Sequence, residues 1–478
     1  MTDLDVKTYI DFFDRTWFDL MGKQDQFPLE EYGERSMLTT WKISYDQVLR
    51  RSEAAAWLLR LWAFFHHDDL WYGLLAKSGD IEEFVTFETP TWLAELSESE
   101  LEFSSAMGLL KAYSLAESTG AGSYTMHSVL HRWSRSLSLD ADAALLVSIS
   151  ICVLAKASPS TAYGLSWKLE RRLLQHVLHV CNELRMTRIL AQHDLPSGAT
   201  NLLGHLLRHQ EKRDDAAQMY QRALLGYEKA LGPNHTSTLE TVNNLGLSYW
   251  RQGKLGRAKK MFQRALIVQE KELGPNHMST LDTVNNLGIT YAARGKLGRA
   301  KKMFQRALIL YEKELGSNHI STFDTVNNLG IIYWKQGKLD KGEQMFQRAL
   351  SGHEKINGTE ASSALSVSIV SNLGCLYYEQ GRLDETEKMF RRALTGLEEM
   401  YGKEALSISL LESVENLGLL HHDQGRPEEA ERMIERALAG YLQIYGPSHR
   451  TTSRASKELE FLRCERGELL HLYLLSLS

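Results

Sequence analysis

Five asparagines stand directly before a Leu-Gly step in this 478-residue sequence: Asn244, Asn286, Asn328, Asn372 and Asn416. The first three follow a second asparagine, giving the pairs completed by Asn243, Asn285 and Asn327. A side-chain amide offers two N–H donors and one carbonyl acceptor, so an evenly spaced row can receive the backbone of an extended peptide. The competing use is internal, with the same amides tying neighbouring helices together. Other chemistry finds no such pattern. A P-loop needs Gly-Lys-Ser/Thr to hold phosphates and magnesium, but the Gly-Lys pairs here precede Gln24, Leu255, Leu297, Leu339 and Glu404. The closest histidine groupings, His66/His67, His176/His179 and His205/His209, lack a His-Glu-x-x-His arrangement, so solvated or core-edge histidines are expected and no metal site. No Gly-x-Ser-x-Gly occurs, and Cys375 sits in a repeat position beside Gly374. Neither a catalytic residue nor a cofactor is expected.

The elements that carry the asparagines repeat. Gly246, Gly288, Gly330, Gly374 and Gly418 follow one another at 42, 42, 44 and 44 residues, and Gly204 marks a looser copy 42 residues upstream. Such self-similarity is the mark of a stacked-repeat architecture. Within a unit, Leu239, Val242, Leu245 and Tyr249 recur at helical steps. After Gly253 a second stripe runs through Leu255, Ala258, Phe262, Ala265 and Leu266. Ser237-x-x-Glu240 reads as a capping box opening the first helix, and Gly-Pro-Asn-His at 274–277 as the end of a second one. A segment from Thr451, in phase through Leu459 and Gly467, reads as a terminal cap.

The order Leu245-Gly246-x-x-Tyr249 … Ala258-x-x-x-Phe262-x-x-Ala265 resembles the tetratricopeptide repeat, lengthened from the usual ~34 residues as in kinesin light chains and fungal signalling proteins. The added residues are expected in the second helix. Departures are local: His421 for the tyrosine, Gly342 and Thr386 for the alanine, Ile434 for the phenylalanine. The resemblance implies a superhelix whose first helices line a concave groove. It places the five asparagines, with Asn243, Asn285 and Asn327 as lesser candidates, where a protein or peptide ligand would lie.

The preceding portion is different material. Residues 36–140 read as helices closed by a hairpin, with helical periodicity over Trp41–Val48, Ala54–Phe65 and Leu70–Leu75 and strands over Ala112–Ala116 and Ser123–Met126. That order describes a winged-helix-like domain. The stretches Thr40-Trp41-x-Ile43-Ser44-Tyr45, Leu58-Leu59-x-Leu61-Trp62-Ala63-Phe64-Phe65 and Tyr124-x-Met126-His127-x-Val129-x-His131-x-Trp133 resemble fungal NLR-like (NB-ARC/NACHT–TPR) signalling ATPases. In that family a Met-His-Asp histidine reaches the ADP phosphates. Here Met126-His127-Ser128 keeps the first two positions, so His127 reads as a vestigial nucleotide sensor, and nucleotide binding is not expected without a P-loop.

Charge and composition narrow the remainder. Fifty-five basic against sixty acidic residues leave −5, too mild to demand nucleic acid or a membrane. Residues 1–197 carry 18 basic and 27 acidic side chains, the rest 37 and 33, and eight of ten tryptophans precede residue 198. The cluster Lys254, Arg257, Lys259, Lys260, echoed by Lys296, Arg299, Lys301, Lys302, is read as a solvated face, since Glu270, Glu272, Glu312 and Glu314 follow. The apolar run Ala143–Ala155 has 13 residues, short of a bilayer span, and reads as a buried helix. Four cysteines without a CxxC pair and an N-terminus without a signal pattern point to a cytoplasmic protein.

The expectation is therefore an all-α fold: a helical tail over 1–35, a winged-helix-like domain with a small hairpin over 36–140, a helical connector over 141–197, six repeats plus a capping helix over 198–467, and a tail over 468–478. The expected function is non-catalytic capture of a peptide or protein, as in the sensor half of a fungal NLR-like ATPase without its nucleotide-binding core. The alternatives are a kinesin light chain-like cargo adaptor, which would need a heptad coiled coil not visible in 1–197, and a fragment of a functional NB-ARC ATPase.

Overall fold

The computed structural model describes residues 33–76, 88–120, 122–138, 140–158, 167–186, 194–357, 364–403 and 405–465. The expected tail at 468–478 and nearly all of that at 1–35 lie outside them. The chain divides into two compact units, Met1–Leu206 and Leu207–Ser478.

The first unit contains α1 (Gly33–Arg51), α2 (Glu53–Trp62), β1 (Leu70–Trp71), α3 (Tyr72–Leu75), α4 (Thr91–Glu98), α5 (Glu100–Ala112), β2 (Glu117–Gly120), β3 (Ser123–Thr125), α6 (Ser128–Ser136), α7 (Asp140–Ala157) and α8 (Trp167–Met186). Ser52 starts α2 by accepting the Ala55 N–H at 3.1 Å, and Ser99 starts α5 through the Glu102 N–H at 3.3 Å. Trp62, Phe64, Phe65 and Phe103 fill the core. As the unbroken apolar run requires, α7 buries Leu146, Val147, Ile149 and the stretch Ile151–Leu154. No helix among the described residues is long and apolar enough to cross a membrane.

Two local readings need correction. Residues 112–116 are not a strand: α5 runs to Ala112, Ser114 takes φ 57°, and pairing starts only at Glu117. Leu70 and Trp71 are not helical either. They form a third strand, antiparallel to β3, giving the order β1-β3-β2 with Leu70 and Ser118 flanking Tyr124. Short apolar runs do not distinguish strand from helix by periodicity, and here the partner strand decides. Gly120 and Gly122, at φ 90° and 75°, let the β2–β3 turn close.

In the second unit each first helix packs on its own second helix and on the next repeat. After α9 (Ser197–His209), inside which the division between units falls, come α10 (Arg213–Leu231), α11 (Thr236–Arg251), α12 (Leu255–Glu272), α13 (Met278–Ala293), α14 (Leu297–Glu314), α15 (Ile320–Lys335), α16 (Leu339–Asn357), α17 (Ala364–Glu379), α18 (Leu383–Tyr401), α19 (Ile408–Asp423), α20 (Pro427–Tyr445) and α21 (Arg450–Glu465). From α11 onward the first helices have 16 residues and the second 18 or 19, so the second helix is the longer by two or three residues only, less than the full added length expected there.

Each repeat is closed by one contact. A Cβ on Gly246 would stand 2.7 Å from the Phe262 ring, one on Gly288 2.7 Å from Phe304, and one on Gly330 2.7 Å from Phe346. Real Cβ atoms do not approach so closely, so glycine in the first helix is what admits the phenylalanine of the second. The departures keep this packing: Ile434 is fully buried against Gly418, and Thr386 is buried with its hydroxyl donating to the Arg382 carbonyl at 2.8 Å.

The helix starts differ from the sequence expectation. The cap of α11 is His235, not Ser237: its Nδ1 accepts the Ser237 N–H at 3.2 Å. His277, His319 and His449 cap α13, α15 and α21 in the same way, each at 3.2 Å. Thr238, Thr280 and Thr322 then donate back to the carbonyls of Gly232, Gly274 and Gly316 at 2.9–3.0 Å. Gly-Pro-Asn-His thus both ends one helix and begins the next.

Candidate functional site

Successive first helices touch directly, as α11–α13, α13–α15 and α15–α17. The second helices are bridged by long side chains instead: Arg264 to Glu228, Arg306 to Glu270, Arg348 to Glu312, Arg392 to Glu354, and Arg436 to Glu398 at 2.9 Å. The first helices of neighbouring repeats therefore stand closer together than the second helices do. Glu270 and Glu312 therefore serve the next repeat and do not neutralise the basic cluster of their own helix. Lys254, Arg257, Lys260, Lys296, Arg299 and Lys302 stay exposed.

The asparagines lie on the first helices, and several are paired across repeats. Asn286 Nδ2 donates to Asn243 Oδ1 at 3.3 Å, Asn328 Nδ2 to Asn285 Oδ1 at 3.4 Å, and Asn372 Nδ2 to Asn327 Oδ1 at 3.2 Å. Asn327 is buried and the other seven are half-buried. The doublets noted as lesser candidates are thus the acceptors of a three-step ladder. One bond uses one N–H of each donor amide, so a second N–H and acceptor capacity remain for a ligand. The ladder stops after Asn372, because Ser371 and Glu415 occupy the positions where asparagine would accept.

Glu415 changes the chemistry at that end. It is 3% exposed, accepts the Tyr441 hydroxyl at 3.0 Å and pairs with Arg454 at 2.7 Å. Burial, and then the Glu415 carboxylate beside it, push the Glu458 carboxyl up to about 7. Burial likewise raises Glu412 above the ordinary carboxylate range. Asn416 therefore follows a buried carboxylate, where Asn244, Asn286 and Asn328 follow an asparagine and Asn372 a serine.

In the first unit, His127 is exposed and caps α6, its Nδ1 accepting the Val129 N–H at 3.3 Å. The histidine groups that looked separate in sequence come together. His176 Nδ1 accepts the His66 N–H at 3.2 Å and its Nε2 meets the Asp69 carbonyl at 3.2 Å. His131 Nε2 bridges the carbonyls of Trp62 and Phe65 at 3.1 and 2.9 Å. Burial holds His131 and His176 down to about 4 and His179 to about 3, so all three are neutral near pH 7. Cys152, Cys181, Cys375 and Cys464 are in no disulfide, and burial raises the Cys152 and Cys375 thiols to about 12 and 11, so neither is an activated nucleophile.

A helical solenoid of two-helix repeats with polar amides on its first helices belongs to the class of proteins built to present an extended surface. Models of the tetratricopeptide repeat match residues 197–266, 239–313, 285–355 and 321–399, and a second model of that repeat matches 410–451. The chain belongs to the tetratricopeptide-repeat proteins. No curated protein matches it. Among solved structures it is similar to BtubC (BKLC) of P. vanneervenii, at 21% identity over 50% of this chain and 92% of that one, TM-score 0.39. Kinesin light chain-type repeats from Podosopora anserina match at 19% identity over 44% and 98%, TM-score 0.37. A tetratricopeptide repeat protein from Parabacteroides merdae matches at 16% over 62% and 96%, TM-score 0.42.

Proposed function

We propose that this protein is a non-catalytic binding module that takes an extended peptide segment along the inner face of its repeats, over Asn244, Asn286, Asn328 and Asn372. The observation that supports this most is the three-step amide ladder. Each inter-repeat bond fixes the rotation of an asparagine whose second N–H stays available, so the groove offers a row of oriented donors. Asn416, beside buried Glu415, would favour a basic or amide-rich residue at that end of the ligand.

For the first unit, the order of helices, a three-stranded antiparallel sheet and a β2–β3 hairpin supports a winged-helix type, and with it the relation to NLR-like signalling proteins. His127 acting as a helix cap favours a structural over a nucleotide-sensing role. A cargo-adaptor role like that of kinesin light chains has no separate observation in its favour.

The test starts from a display selection of unstructured peptides against the full chain, followed by the variant Asn286→Ala/Asn328→Ala. Each lost backbone pairing strands a peptide group at about 1–3 kcal/mol, so affinity for a selected peptide should fall by 10²-fold or more. The melting temperature should fall only a few degrees. Unchanged affinity with a large melting drop would reduce the ladder to an inter-repeat tie and refute the groove reading.

A further inference from the structure

The sequence His66-His67-Asp68 has no metal-binding spacing, yet the turn between α2 and β1 brings its three side chains to one point. One potential ligand atom from each residue lies within 4.8 Å of the others. His67 Nδ1 stands 3.1 Å from Asp68 Oδ1 but has no hydrogen-bond partner, and His66 Nδ1 stands 4.0 Å from Asp68 Oδ2. Bond lengths of 2.0–2.2 Å put two donors of a tetrahedral zinc about 3.3 Å apart, so these separations bracket what an ion needs. His66 Nδ1 accepts only a long 3.3 Å bond from the Asp68 N–H, which a metal would replace. The side chains of His66, His67 and Asp68 are 28%, 35% and 53% exposed, but His67 Nδ1 itself is covered, so the approach left for an ion is past His66 and Asp68.

The turn is held from outside. Asp69 takes φ 64°, and both its carboxylate oxygens accept from Arg172 at 2.5 Å. His176 clamps the His66 N–H and the Asp69 carbonyl, the Met126 N–H donates to the His67 carbonyl at 2.9 Å, and the Thr125 hydroxyl donates to Asp68 Oδ1. These ties come from α8 and from β3 and the residue after it, and they fix the backbone of the turn and the Asp68 carboxylate before any ion arrives, which lowers the ordering entropy of binding. We propose that His66, His67 and Asp68 form a divalent transition-metal site, for which zinc is the fitting ion. Two imidazoles and one carboxylate are donors that zinc accepts, leaving one tetrahedral position for a water molecule.

The experiment uses the full chain, dialysed against chelator, titrated with zinc by calorimetry and with cobalt(II) by visible absorption. One equivalent should bind with micromolar or tighter affinity, and cobalt should give the intense d–d bands of a low-coordinate site. His67→Ala and Asp68→Asn should each weaken zinc by about 10²-fold or more, and Thr125→Val, which only orients Asp68, by about tenfold. Asp68→Asn keeps an acceptor for Thr125, so it decides the matter if His67→Ala fails to fold; circular dichroism of the metal-free variants checks this. No saturable micromolar binding, or wild-type affinity in Asp68→Asn, would overturn the site.

Discussion

The two units hold themselves together by opposite means. In the second, the same few contacts recur from repeat to repeat: glycine against an aromatic ring, a histidine cap, an arginine–glutamate bridge between second helices. In the first, each tie is made once and joins distant parts of the chain. Arg60 reaches Asp142 across 82 residues, Arg172 reaches Asp69 across 103, and His176 reaches Asp69 across 107. The difference teaches that damage should spread differently. A repeat array loses stability near the lesion, because each unit leans on its neighbours alone, whereas the first unit has no spare copy of any contact.

The sharpest contrast is with pH. His131, His176 and His179 are buried neutral in the first unit, with folded values depressed below the ordinary 6.5 to about 4, 4 and 3. Below 6.5 the unfolded chain takes up protons that the folded unit refuses. Stability therefore falls with falling pH between 6.5 and about 4, by about 1.4 kcal/mol per pH unit for each histidine within that window. Glu458, in the last helix of the second unit, has a raised folded value of about 7, so its contribution has the other sign: present below 4.5 and lost as pH rises through 7. On acidification, tryptophan emission, which is dominated by residues 1–197, should change before the helical signal of the repeats. Coincident transitions would break the comparison.

Next in size is Phe304→Ala. The ring is 2% exposed and fills the space left by Gly288, so truncation should cost about 3–5 kcal/mol. Hydrogen exchange should show lost protection in α13 and α14 and their neighbours, with α2 and α6 unchanged. Equal loss in both units would mean that they unfold as one.

The smallest effect sharpens the role of the caps. His277→Ala removes the acceptor for the Ser279 N–H and should destabilise by about 1 kcal/mol, whereas His277→Asn, a better cap, should restore or exceed wild-type stability. Melting curves of the two variants decide this. If asparagine fails to rescue, the imidazole matters for something other than capping α13.

How much was legible in the sequence follows the same division. The repeat, its length and the run of asparagines on the first helices could all be read, because a helix pair packs through positions a fixed few residues apart and the pattern returns every 42 to 44 residues; that Phe262 is what packs on Gly246 could not. The histidine caps were missed because Ser237-x-x-Glu240 imitates a capping box two residues too late, although the recurrence of His235, His277, His319 and His449 carried the signal. The bond from Asn286 to Asn243 could only be posed as an alternative, since the sequence does not say how far apart two first helices stand.

The sequence by itself determined that this is a two-part chain whose second part stacks helical repeats with polar amides on the first helices. That information is local and repeated, so each copy corroborates the next. Only the tertiary structure decided that Leu70 and Trp71 are a strand, that the amides pair between repeats, and that His66, His67 and Asp68 converge beside His176. Those outcomes depend on residues 43 to 110 positions away, and nothing in a local period encodes which distant partner a side chain will meet.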